Sequence, residues 1–160
     1  MRHGVALALL GLAYAAPALA QEDAAVVDRS KVYASSPEGC AALEGKGLDA
    51  FGDIDFQTLT FADGILGNEF HCSFYDIRSR PNSPNLLVEA VCEEPGFLYP
   101  DLIAISPWDE NTVQVVSSYD LQSAAMASMS GEAIDDSENQ GQPLGVALYT
   151  RCDSLSELPR

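Results

Sequence analysis

From residue 56 the chain alternates apolar and polar positions with a period of two, the pattern of strands that bury one face. Leu59 and Phe61 alternate with Thr58 and Thr60, and Asp63-Gly64 marks a hairpin before the next run. From Leu66 to Ile77, the even positions Leu66, Phe70, Cys72 and Phe74 form an apolar face. The odd positions Glu69, His71, Ser73 and Tyr75 form a more polar one. Turn formers fill Arg78–Asn85, and Leu86, Val88, Ala90 and Cys92 then share a face opposite Glu89 and Glu93. Glu94-Pro95-Gly96 is a turn into a strand from Phe97 to Ser106, where Pro100 belongs at an edge or a bulge. Trp108–Asn111 turns into Thr112–Tyr119. The last strand is Gly145–Cys152, with Val146, Leu148 and Cys152 expected on one face.

Ahead of these six strands, Val26-Val27 and Val32-Tyr33 offer a short first strand. Ser36, Pro37 and Glu38 then open a helix with a hydroxyl cap, a proline at its first position and an acid at its positive dipole end. Gly45 and Gly47 end it, and Cys40 lies on it. Asp120–Met129 reads as a second helix capped by Asp120. Residues 130–144 are acidic and nearly without large apolar side chains, which predicts a flexible, solvated acidic loop. The expected fold is mainly β: a single-domain antiparallel β-meander or small curled barrel, with one or two short helices and two disulfides.

The first twenty residues have another character. Arg2 and His3 precede an uncharged apolar run from Val5 to Ala16, and Ala18-Leu19-Ala20 supplies small residues for cleavage before Gln21. Residues 1–20 therefore read as an export signal and 21–160 as one disulfide-stapled domain in the periplasm or outside the cell. The run is shorter than the ~20 residues of a membrane helix, so no membrane span is expected.

All four cysteines, Cys40, Cys72, Cys92 and Cys152, follow that signal. An even count in a small exported chain predicts two disulfides, each stabilising by about 3–4 kcal/mol. About the Arg78–Asn85 turn, Cys72 and Cys92 stand near but not at opposed positions. The preferred pairing is therefore Cys40–Cys72 with Cys92–Cys152. Its alternative, Cys72–Cys92 with Cys40–Cys152, needs a slipped register.

Eight Lys and Arg against 24 Asp and Glu give a formal charge of −16, and loss of Arg2 with the signal makes it −17. Such a surface repels nucleic acid, which needs a basic footprint, and suits a monomer whose partner is a basic protein or a small apolar ligand. Chemistry is tightly bounded. His71 is the sole histidine after the signal, so two-histidine metal sites are excluded within one chain and any triad must use it. Glu69, His71 and Ser73 line one face, but at about 6–7 Å spacing they do not reach one another directly. Asp53-Ile-Asp55 has the opening spacing of a calcium loop without its later glycine and glutamate. Acids such as Asp49, Glu93, Glu94, Asp101, Asp109 and Glu110 are too abundant to single out a pair. Trp108, Tyr119, Tyr99 and Tyr149 are candidates for a pocket mouth, although Trp108 also suits a lid over the core end. No catalytic, cofactor or metal residues are assigned. The expected function is non-catalytic binding of a protein or small ligand in the cell envelope, with a small carboxylate-dependent hydrolase as the alternative.

Overall fold

The computed structural model describes residues 26–130 and 145–159, so the export signal and almost all of the acidic 130–144 segment lie outside the described residues. Eight antiparallel strands run in sequence order: β1 (Val32–Ala34), β2 (Thr58–Thr60), β3 (Gly64–Leu66), β4 (His71–Ser79), β5 (Leu86–Glu94), β6 (Phe97–Pro107), β7 (Thr112–Ser117) and β8 (Val146–Cys152). Pairing of β1 with β8, Val32 opposite Cys152, closes the meander into a barrel. Closure leaves no continuous sheet edge exposed.

The six expected strands and the short first strand expected at Val32-Tyr33 become eight, because one run splits. Val32–Ala34 is fully buried and wedges between β2 and β8 as β1. The expected run from Leu66 splits at Gly67–Phe70, where the Gly67 N–H donates to the Phe70 carbonyl and turns β3 into β4. Gly64 starts β3 with a positive φ of 90°, and a side chain there would run into the Cys72 carbonyl.

The interior core unites Tyr33, Leu59, Ile65, Cys72, Val88, Cys92, Ile103, Ile105, Val113, Val115 and Tyr149. A second core lies outside the wall. There α1 (Pro37–Lys46), capped by the Ser36 hydroxyl accepting from the Gly39 N–H, lays Leu43 with Phe56 over Val32, Ala34 and Cys152. The other helix, α2 (Ser118–Ser130), leans on β6 and β7 and has no buried residue. Pro100 costs no ladder bond to β7, because β7 pairs with β6 only from Ile103 onward.

The two sides of this wall correct the disulfide pairing: the bridges are Cys40–Cys152 and Cys72–Cys92. On β8, Ala147 and Tyr149 point inward, so Cys152 falls on the outer side beneath α1, within reach of Cys40 and cut off from Cys92. Cys72 and Cys92 face the interior. The slip they require comes from a bulge between Phe74 and Asp76: Ser79 opposes Leu86, but past unpaired Tyr75 the register moves by one and sets Cys72 opposite Cys92. The bulge also reverses the strand's parity. Phe74 packs inward, Tyr75 and Asp76 are both exposed, and Ile77 turns in again. The bridges mark an oxidising environment. Among the described residues no helix is long and apolar enough to cross a membrane.

Candidate functional site

Alternation along β5 and β6 delivers two acids to the barrel interior. Leu86, Val88, Ala90 and Cys92 face inward, and the next position in phase is Glu94. On β6 the inward series is Tyr99, Asp101, Ile103 and Ile105. A third acid, Asp120, comes from the first turn of α2, which starts where β7 ends.

Asp101 is buried, and four donors satisfy its carboxylate. Oδ1 accepts from the Leu102 N–H at 2.8 Å, the Ser118 hydroxyl at 2.7 Å and the Tyr119 N–H at 3.0 Å. Oδ2 accepts from the Ser117 hydroxyl at 2.7 Å. A negative group at the positive end of α2, with its hydrogen bonds filled, holds the helix against the barrel wall. Ser117 is the side-chain cap, accepting from the Asp120 N–H at 3.0 Å. Asp120 therefore lies inside the first turn and does not cap the helix.

Asp101, Glu94 and Asp120 border a cavity of about 320 Å³ at one end of the barrel. Its walls are Ile65, Phe70, Ile103, Val115 and Ala147, with Gln57 and Tyr149 across from the acids. The Tyr149 hydroxyl donates to Gln57 Oε1 at 2.6 Å, and the Tyr99 hydroxyl donates to Glu94 Oε1 at 2.9 Å. Burial raises both phenols above their ordinary range, and the carboxylate of Glu94 adds to the effect at Tyr99. Asp120 is exposed at the cavity rim but partly desolvated, and its carboxyl is raised from its usual range. Partial burial leads, the Ser117 hydroxyl opposes it, and the carboxylates of Asp101 and Glu94 reinforce it. Gln57, Phe70 and Glu94 also line a neighbouring surface groove of about 630 Å³, bordered by Asp53, Asp55, Glu69 and Phe51.

The expected pocket-mouth aromatics divide. Tyr99 and Tyr119 stack at 3.8 Å between centroids, Phe97 lies 5.4 Å from Tyr99, and Tyr149 stands inside. Trp108 is 54% exposed in the β6–β7 turn and covers no core end. His71 and Ser73 keep to the outer face as expected, whereas Glu69 leaves their strand for the β3–β4 turn. His71 Nε2 lies 3.3 Å from the Asp63 carbonyl and 3.5 Å from Ser73 Oγ, so the His71 and Ser73 side chains lean within reach of each other, closer than strand spacing alone implies. A ring nitrogen that donates to that carbonyl carries a proton and cannot act as base toward Ser73. Asp53 is paired with Lys46 Nζ at 2.5 Å.

In the sequence Asp101 and Glu94 do not stand out from the other acids, and Asp120 reads as a helix cap. The signal that separates two of them was present: Asp101 and Glu94 fall in the inward phase of their strands. Searches against known protein families, characterised proteins and solved structures found no match to this chain.

Proposed function

We propose that this protein is an exported, non-catalytic β-barrel that holds a small ligand in the open end of its barrel, in the periplasm or outside the cell. The observation that carries the reading is the cavity of about 320 Å³ set among Ile103, Val115, Ala147, Tyr99, Glu94 and Asp120. Ligand pockets combine apolar walls with a few convergent polar groups and begin at about 300 Å³, and eight-stranded barrels leave room for one small ligand. Apolar walls beneath a rim of carboxylates suit a compact ligand with an apolar body and a positively charged head. Export is supported by the basic start, apolar run and Ala18-Leu19-Ala20 of residues 1–20, and by two disulfides in an otherwise modest core.

Mass spectrometry of protein purified under native conditions from its own cell envelope tests this reading. A co-purifying small molecule is expected, one lost when Ala147→Phe fills the cavity while both disulfides and the circular dichroism spectrum remain. The same molecule retained by the filled variant would refute the site.

The alternative is a carboxylate-dependent hydrolase, and its specific support is Asp120, a carboxyl raised toward protonation beside Glu94 in a cavity. It predicts hydrolytic turnover abolished by Asp120→Asn. Asp101 is a poor partner for such chemistry because its oxygens are committed to four donors.

A further inference from the structure

The outer face of β4, β5 and β6 departs from the rule that an antiparallel sheet turned to water is polar. α1 covers β1 and β8, and α2 leans on β6 and β7. Elsewhere on this wall Tyr75, Val91 and Pro100, from three successive strands, line one hollow. Tyr75, the unpaired bulge residue, is 74% exposed, and Leu98 is 67% exposed. Leu102 and Leu87 are exposed on the same face. Around Tyr75 the wall is concave, with Glu89, Val91 and Pro100 bordering a hollow of about 370 Å³.

Acids border this band. The strand register sets Glu93 opposite Leu98, Glu89 opposite Leu102, and Asp76 opposite Glu89. Its one guanidinium, Arg78, is already bound to Asp76 at 2.7 Å and to Glu89 at 2.6 Å. Arg80 lies in the loop past the end of β4. An apolar centre with an exposed aromatic anchor and a charged rim is the anatomy of a protein interface. A bulge is a recurrent means of aiming one side chain out of a sheet.

We propose that the Tyr75–Leu98–Leu102 face is a docking surface for a basic protein, one that presents an apolar side chain flanked by Lys or Arg. Charge selects this occupant. Arg78 offsets one of the three rim carboxylates of Asp76, Glu89 and Glu93, and the net negative rim, on a chain of net charge −16, repels a second copy of itself and attracts a cationic surface, raising encounter rates. This face lies on the outside of the wall whose inside holds the ligand cavity, so its occupation does not depend on that cavity's contents.

Photo-crosslinking in the exported protein tests the proposal. Tyr75 is replaced by p-benzoylphenylalanine, and the same probe at Trp108, exposed elsewhere, serves as control. Irradiation in native cell envelopes is followed by mass spectrometry of the adducts. The expected result is an adduct with a protein of high isoelectric point from position 75 and not from position 108. Its yield should fall about tenfold in the Glu89→Lys/Glu93→Lys variant and with added salt. Four results would overturn it: an adduct with residues 131–144 of the same chain, an adduct with a second copy, a salt-insensitive adduct, or no adduct. Leu98→Ser keeps the acidic rim. It should lower the yield if the apolar centre contributes, and an unchanged yield would also count against the proposal.

Discussion

Asp101 organises the open end of the barrel. Its carboxylate gathers the hydroxyls of Ser117 and Ser118 and the N–H of Tyr119, fixing where α2 leaves the wall. Asp101→Ala removes the acceptor of four donors, and buried hydrogen bonds to a charge are worth about 1.5–3 kcal/mol each before the freed donors find other partners. A loss of about 3 kcal/mol in denaturant unfolding is expected, together with reduced helical circular dichroism; an unchanged helix signal would mean α2 does not depend on it. Asp120 has the opposite sign. Its folded-state carboxyl is raised, so the folded state binds the proton more readily than the unfolded chain. Stability linked to this group is therefore greatest below its ordinary value of 3.8 and declines as pH rises through its raised folded value. Asp120→Asn should raise the Tm at pH 7 and lose that advantage near pH 3. On the outer face, His71→Ala should change stability by about 0.5 kcal/mol or less. Phe74 is only partly buried, so Phe74→Ala should cost about 2 kcal/mol, short of the 3–5 of a fully enclosed ring. Equal losses at the two positions would reverse the faces assigned to β4. The phase of the alternating strands placed Phe74 and His71, and the same phase carried along β6 places Asp101 inward. The place of Asp120 was not legible, because the Ser117 hydroxyl caps the helix and Asp101, distant in sequence, takes the Tyr119 N–H, so the helix starts before Asp120.

The elements show where sequence pattern stops being sufficient. Hairpin order, the helix at Pro37 and the inward faces of β5 and β6 follow from local alternation and turn chemistry. The bulge at Tyr75 does not, because one inserted residue leaves the composition of a strand unchanged while shifting its register and reversing its faces. It decides the pairing of Cys72 with Cys92, and the outward turn of Cys152 decides the other bridge. β8 misled the reading because an apolar wall beneath α1 makes both its faces apolar. The two bridges close loops of very different length, with sequence separations of 20 and 112 residues. If restriction of the unfolded chain dominates, removing the first costs about 3 kcal/mol and removing the second about 5 kcal/mol. Paired Cys→Ala variants in equilibrium denaturation check this ordering. A larger loss for Cys72–Cys92 would point instead to interior packing, since both its sulfur-bearing residues are buried in the barrel core.

At the scale of the whole molecule, closure depends on β1, three residues whose pairing with β8 spans nearly the entire chain. A first strand at Val32-Tyr33 and a meander or small curled barrel were legible in the sequence; which strand closes the barrel was not, because a segment so short carries no periodicity to show its partners. Closure has a functional consequence: it gives the chain an inside, with Glu94, Asp120 and Tyr99 at the rim of a space walled by Ile103, Val115 and Ala147. The most direct test is an amide chemical-shift titration of the protein and its Ala147→Phe variant with hexylamine and with uncharged hexanol. The binding-barrel account predicts saturable shifts clustered at Tyr99, Ile103, Val115, Asp120 and Ala147, weaker with hexanol and absent from the filled variant. Equal shifts in both proteins, shifts scattered over the outer wall, or no shifts at all would contradict it.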